Sequence, residues 1–309
     1  MPNPSKLPKN LLHPRYWMSW WAVGGLSLLA FLPWQARRWL GKQLGSLIYK
    51  HNPKRRQIIL VNLEFAFPEL SKENREQFAK QNLQEYAAAL LDYSLLFFRS
   101  RTVLYKRIQL SGQEHLEKAI TQNQNIMLLL GHSVWLEFAP VAIGEHFKAY
   151  GSYKPFKNPV FNWLIMRSRL RDVQFVVSRE EGMIKLVRSL EPGKLLFFLP
   201  DQDHGEKHSV FAPFFATDKS TLTTPARIAK LGRACAFPIM VFFDAATGIY
   251  QVKVEPALED FGALNPQEDA TNMNASFERL IRQYPTQYMW LLKLFRTRPT
   301  KNDNPYLKH

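Results

Sequence analysis

The hydrophobic pattern of the 309-residue chain changes rhythm near Leu104. Before that point apolar residues recur at the three- and four-residue intervals of a helix face. Trp39 to Lys50 reads as one helix, and Pro68 with Ser71 closes one helix and opens another that runs to Arg99. In the second, Leu83, Tyr86, Ala87, Leu90 and Leu91 share a face, and the end, Leu95-Leu-Phe-Phe98, is buried or lipid-facing. Beyond Leu104 short apolar runs alternate with helical stretches. The predicted strands are Leu104 to Leu110, Ile126 to Leu130, Ala149 to Tyr153, Val173 to Val177, Leu195 to Leu199, Phe237 to Phe243 and Tyr250 to Glu255. The predicted helices between and after them are Glu114 to Gln122, Val134 to Glu145, Val160 to Arg171, Glu181 to Leu190, Thr223 to Leu231 and Asp269 to Tyr284. Strands joined by helical crossovers imply an α/β fold with a mixed, mostly parallel central sheet flanked by helices. Ligands of such sheets bind beyond the carboxyl ends of the strands.

One segment stands apart from both rhythms. From Tyr16 through Ala36 no residue is charged, and Trp17, Trp20, Trp21 and Trp34 stand toward its ends with Arg15, Arg37 and Arg38 flanking it. Aromatic rings of this kind favour the headgroup layer of a bilayer. Tyr16 to Leu32 as one helix would be roughly 25 Å long, against a hydrocarbon core of about 30 Å. The expectation is a basic tail over residues 1–15, a membrane anchor helix over 16–36, and a single α/β domain over 37–309. Spanning the bilayer and lying in one leaflet both fit the apolar length. No small-residue cleavage site follows the segment, which disfavours a signal peptide. Basic residues lie on both sides, and the somewhat larger number after the segment gives only a weak preference for a body on the cytoplasmic side.

Charge narrows the partners. Lysines and arginines number 41 against 26 acidic residues, a surplus of +15 that suits anionic membrane, nucleic acid or an acidic protein. Nucleic-acid binding would call for basic residues interleaved with exposed aromatics, whereas here the aromatics sit mainly in apolar runs. The lone Cys235 forbids an internal disulfide, and its apolar setting reads as packing.

The candidate chemistry collects at strand ends. Ile126 to Leu130 is a buried-strand pattern broken by Gly131, after which His132 and Glu137 follow with four residues between them. If a helix starts near Ser133, a suitable N-cap, Glu137 lies about one turn inside it. Its carboxylate would then reach back to one imidazole nitrogen and leave the other free as a base. The plainer reading is a strand-end histidine that satisfies backbone groups and a glutamate that serves as a first-turn helix charge. Arg167, Arg169 and Arg171 end a predicted helix, suited to forked bonding of phosphate or carboxylate, or to an oxyanion, and equally to decorating a helix C-terminus. Asp201, Gln202 and Asp203 follow another predicted strand. With His204, Glu206 and His208 they superficially resemble a metal site, but the spacing lacks the His-Glu-x-x-His arrangement, so a polar substrate-facing loop is expected and no metal. No Gly-x-Gly-x-x-Gly, phosphate-loop lysine motif or Gly-x-Ser-x-Gly elbow occurs.

Taken in order, these blocks resemble the bacterial lipid A late acyltransferases. The likeness rests on Asn62-Leu with Phe67-Pro-Glu, Gly131-His132 with Glu137, Asn158-Pro with Ser168-Arg169-Leu-Arg171, and Pro200-Asp-Gln-Asp203. It continues in Val210-Phe-x-Pro-Phe-Phe215, Thr221, Ala226-Arg227, Gln287-Tyr-Met-Trp290 and Phe295-x-Thr-Arg-Pro299. The resemblance implies a lysophospholipid/glycerolphosphate acyltransferase-like fold at the bacterial inner membrane. It also implies transfer of a fatty acyl chain from acyl carrier protein to a Kdo-bearing lipid A precursor, with no cofactor. On that likeness His132, Glu137 and Arg169 are the catalytic residues, and Arg171, Asp201, Gln202 and Asp203 face substrate. The chain departs from the family in three places. Trp290-Leu-Leu292-Lys-Leu294-Phe295 stands where Trp-x-His-x-Arg-Phe is usual, and Ser220 and Thr224 stand where Ala and Gly are expected. Only Arg179-Glu-Glu-Gly182 resembles the Pro-Glu-Gly-Thr-Arg block of the glycerol-phosphate branch, which is therefore disfavoured. The competing classes are an acyltransferase for another glycolipid or phospholipid, and a non-catalytic membrane-surface binding protein.

Overall fold

Pro33 divides the uncharged N-terminal run. In the computed structural model, which describes residues 7–153, 156–178, 183–300 and 304–307, α1 (Trp17–Leu29) ends in a turn and α2 (Trp34–His51) starts directly after the proline. α1 has 13 residues, about 20 Å at the helical rise, short of a bilayer core of about 30 Å. No helix among the described residues is long and apolar enough to cross a membrane. One continuous helix over residues 16–36, as expected for the anchor, does not form, because a count of charges cannot register the break that proline's fixed φ and missing N–H impose. α1 packs onto the body instead. Val23 is buried with Leu11, Val160 and Leu164, and the Trp20 and Trp163 ring centroids lie 6.0 Å apart. Trp17, Met18, Trp21 and Leu28 stay exposed. Residues 1–6 of the basic tail and the Arg179 to Gly182 stretch lie outside the described residues.

α3 (Pro53–Ala66) and α4 (Lys72–Phe98) follow, and α2 lies against α4 at close range. A Cβ on Gly41 would fall 2.5 Å from Ala88 Cα, and one on Gly45 would fall 2.4 Å from Gln84 Cα. Only glycine permits that approach. Arg37 with Asp92 and Arg38 with Glu85 close the same interface as ion pairs. Asp92 also accepts from the Tyr250 hydroxyl, which ties the helical pair to the sheet.

After α5 (Arg101–Tyr105) come β1 (Ile108–Ser111), α6 (Gln113–Thr121), β2 (Asn125–Leu130), α7 (Ala139–His146), β3 (Lys148–Tyr153) and α8 (Pro159–Arg169). Next are β4 (Phe175–Ser178), α9 (Met183–Arg188), β5 (Lys194–Phe198), β6 (Ser209–Phe214), β7 (Thr217–Leu222) and α10 (Thr224–Gly232). β8 (Ala234–Asp244), β9 (Ile249–Val254) and α11 (Pro266–Gln283) follow. The main sheet has the order β1-β9-β8-β2-β5-β3-β4. Its neighbours are parallel except β8 and β9, so the sheet is mixed and mostly parallel, with helices about it. Ile126, Leu128 and Leu130 of β2 enter one apolar cluster while Met127 and Leu129 enter the other. That alternation is why the strand reads as an unbroken apolar run: both of its faces are covered.

One local expectation needs correction, and one element was not expected at all. Leu104 to Leu110 is not one strand, since Ser100 caps α5 by accepting from Val103 N–H at 3.4 Å and the strand begins only at Ile108. The β6–β7 hairpin, outside the main sheet, had no forecast. Pro213 sits in its first strand and Thr217-Asp218-Lys219 opens its second, residues that read as a loop.

Candidate active site

β2 and β5 are parallel neighbours, with Ile126 opposite Leu195 and Leu129 opposite Phe198. Carried three positions past that last pair, the same register sets His132 opposite Asp201, its partner 69 positions along the chain. The side chains meet there. One Asp201 oxygen accepts from His132 Nδ1–H, and the other accepts from the His132 backbone N–H at 2.7 Å and from the Tyr288 hydroxyl at 2.9 Å. Burial alone pushes the Asp201 carboxyl up. The His132 ring and backbone N–H, with Lys219 beyond them, outweigh burial and hold it below the ordinary carboxylate value. A carboxylate on Nδ1 leaves the lone pair on Nε2. The Gln202 side-chain nitrogen lies 2.9 Å from Nε2.

Glu137 is placed differently from the expectation that it orients the imidazole. No helix starts at Ser133. That residue bridges to Tyr288, and its Oγ accepts from Trp135 N–H at 3.2 Å. A single 3-10 turn, Leu136–Phe138, precedes α7 and carries Glu137 toward the end of α8. There Arg169 Nε donates to Glu137 at 3.0 Å and Nη2 closes the second arm of the fork. The acid that holds the ring is therefore Asp201, and Glu137 holds Arg169.

The Glu137–Arg169 pair forms the polar edge of an apolar groove of about 560 Å³ between α1, α4, α8 and the 136–138 turn. Leu26, Leu90, Leu96, Phe97, Phe161 and Ile165 supply much of its wall. This is the size and character of a small-ligand site. Tyr93 also lines it, with its hydroxyl donating to Val134 O at 2.5 Å just after the histidine turn.

The remaining expected residues divide. Gln202 joins the histidine. Asp203 is turned away into structure, accepting from Thr297 N–H at 2.6 Å, Thr297 Oγ1 at 2.8 Å and Gly205 N–H at 2.9 Å. Arg171 is exposed outside the groove wall, its guanidinium 3.4 Å from Arg99 O. Tyr288 and Lys219 carried no chemical signal in the sequence, because they lie far from Asp201 along the chain. Asn62 of the family-like blocks proves to be a clamp, and Asn82 on α4 is a second. Asn62 Nδ2 donates to Trp290 O at 2.6 Å and Leu292 O at 2.7 Å, and Asn82 Nδ2 donates to Tyr288 O at 2.7 Å.

Comparison with known proteins identifies the family. The family described as Bacterial lipid A biosynthesis acyltransferase matches residues 5–297. A lipid A biosynthesis lauroyltransferase of Escherichia coli K12 is 32% identical over 97% of this chain and 98% of its own. A lipid A biosynthesis acyltransferase of Haemophilus influenzae is 31% identical over 94% and 92%, and the E. coli palmitoleoyltransferase is 29% identical over 98% of both. The 1-acyl-sn-glycerophosphate acyltransferase PlsC of Thermotoga maritima aligns with TM-score 0.33 and 11% identity over 80% of this chain and 99% of its own, a likeness too slight to bear on fold or function. With one profile spanning nearly every residue and relatives covered end to end, the chain belongs to the bacterial lipid A biosynthesis acyltransferase family and is an acyltransferase.

Proposed function

We propose that the protein moves a fatty acyl chain from an acyl carrier protein thioester to a hydroxyl on a hydroxyacyl chain of a Kdo-bearing lipid A precursor. The observation that carries this reading is the imidazole held at Nδ1 by a buried carboxylate, with Nε2 left as the acceptor at the carboxyl edge of a parallel sheet. His132 Nε2 takes the proton of the acceptor hydroxyl as its oxygen attacks the thioester carbonyl. The tetrahedral oxyanion then collapses, the carbon–sulfur bond breaks, and the imidazolium returns its proton to the departing thiolate. Arg169, aimed by Glu137, lies on the groove that would take the acyl chain, and supplies positive charge for the oxyanion. Asp201 orients the ring, Gln202 yields its place to the incoming hydroxyl, and Arg171 meets anionic groups of the lipid or of the carrier protein. Membership of a lipid A biosynthesis acyltransferase family and the surplus of +15 support an anionic, membrane-borne acceptor. The enzyme works at the cytoplasmic face of the inner membrane, with the exposed Trp17, Met18 and Trp21 against lipid.

The test is an assay of purified enzyme with fatty acyl-loaded acyl carrier protein and a Kdo-bearing lipid A precursor, read by mass spectrometry. The expected product is heavier by one acyl chain. Acylation of a phospholipid or another glycolipid offered in the same assay, with the lipid A precursor untouched, would replace this acceptor.

A further inference from the structure

A buried carboxylate needs donors on both of its oxygens. At Asp201, which is 2% exposed, Oδ1 serves the His132 ring. Oδ2 takes two donors, the His132 backbone N–H at 2.7 Å and the Tyr288 hydroxyl at 2.9 Å. Tyr288 is 1% exposed, with the Phe214 and Trp290 ring centroids 6.4 and 5.1 Å from its own. Those contacts would suit phenylalanine equally, whereas a buried phenol demands a polar partner. Packing does not account for the hydroxyl. The main chain around Tyr288 runs beside the histidine turn. Val134 N–H donates to Gln287 O at 2.8 Å, Met289 N–H donates to His132 O at 2.8 Å, and Ser133 bridges to Tyr288. Asn82 fastens the same segment, donating to Tyr288 O at 2.7 Å and Thr286 O at 2.8 Å. One residue therefore pairs by its backbone with the turn that bears the ring and by its side chain with the acid 87 positions away.

We propose that Tyr288 is a positioning residue, which fixes the Asp201 carboxylate against the His132 turn so that Oδ1 faces the ring and Nε2 stays aimed at the reacting hydroxyl. The inference rests on His132 as the base. A carboxylate free to turn about its Cβ–Cγ bond presents either oxygen to the ring. With Oδ2 held by donors from two separate segments, that rotation is closed, and the imidazole is set before substrate arrives. Burial first, and then the Asp201 charge, push the Tyr288 hydroxyl well above the ordinary tyrosine value. It stays a donor and does not itself exchange the substrate's proton. Without the hydroxyl, Oδ2 keeps one donor and the ring samples more than one arrangement. The loss falls on the rate rather than on binding, since a side chain so deeply buried meets neither substrate.

The test uses the full chain with acyl-loaded carrier protein and a Kdo-bearing lipid A precursor. kcat, both KM values and the melting temperature are measured for the parent, Y288F, D201A and the Y288F/D201A double variant. A fifth protein, Tyr288→4-aminophenylalanine, puts a donor back on the ring. Y288F should lower kcat about tenfold or more, the scale of one hydrogen bond to a charged group, with both KM values unchanged and a melting temperature near the parent's. The ring amine should recover part of that loss, and Y288F should cost nothing further on the D201A background. A tyrosine that only packs gives another pattern: Y288F at the parent kcat, an equal proportional loss on D201A, no recovery by the amine, or a Y288F chain that does not fold. Any one of these overturns the proposal. H132A keeps the two readings apart. If H132A stays active the base assignment itself falls, whereas an inactive H132A beside Y288F at the parent kcat removes Tyr288 alone.

Discussion

The Asp201 carboxylate grips His132 twice, at the ring and at the backbone N–H. Ring orientation and main-chain position are thus fixed by one side chain. H132A should lower kcat by roughly 10² to 10⁴, the scale of a lost general base. D201A should approach the same loss, and the double variant should be little worse than either, because the two act as one unit. Single-turnover rates with saturating donor check this, and full additivity would separate the residues.

Glu137 should matter through Arg169. E137Q breaks one arm of the fork and frees the guanidinium to rotate. The expected result is a loss of kcat/KM similar to that of R169M, with a double-mutant coupling of about 1 kcal/mol or more. If E137Q instead shifts the pH profile as a histidine-orienting variant would, the geometric assignment of Glu137 fails.

Asp201 also predicts how stability depends on pH. Its native pKa lies below the usual carboxylate value, so the unfolded chain binds a proton here before the native one does. Its contribution is complete above about pH 4 and fades as pH falls through the depressed native value. The urea midpoint gap between parent and D201N should therefore be constant from neutral pH to about pH 5 and narrow only in stronger acid. A gap that closes near neutrality would contradict the assignment.

The groove wall sets what fits beside the Glu137–Arg169 pair. I165W should fill part of the 560 Å³ and shift products toward shorter acyl chains. Mass spectra of products from mixed-length donors read this directly, and an unchanged distribution would move the acyl chain elsewhere.

Close approach of α2 to α4 makes Gly45 intolerant. G45V should cost about 1 to 3 kcal/mol by forcing the helices apart, read as a lower urea midpoint, while a surface change such as K50A should leave the midpoint in place.

What could be read in advance follows from what is local. β2, its terminal glycine and His132 were legible because a both-sides-buried strand writes itself as an apolar run. The partner acid was not, since Asp201 reaches the ring through strand register, and nothing within a few residues of His132 reports which strand lies alongside. Glu137 misled because four intervening residues suggest one helical turn, whereas Ser133 pairs with Tyr288 and delays the helix to Ala139. The N-terminal run misled for a related reason: hydropathy is summed over residues, while Pro33 acts on the backbone.

The stretch from Gln287 to Leu292 has little regular structure, yet it carries Tyr288 to Asp201. Asn62 and Asn82, on α3 and α4, supply donors to its carbonyls. The floor beneath the imidazole thus takes its stiffness from helices at the opposite end of the chain. A version trimmed of its first three helices would leave the Trp290 and Leu292 carbonyls without Asn62, and the His132 ring standing on loosened ground.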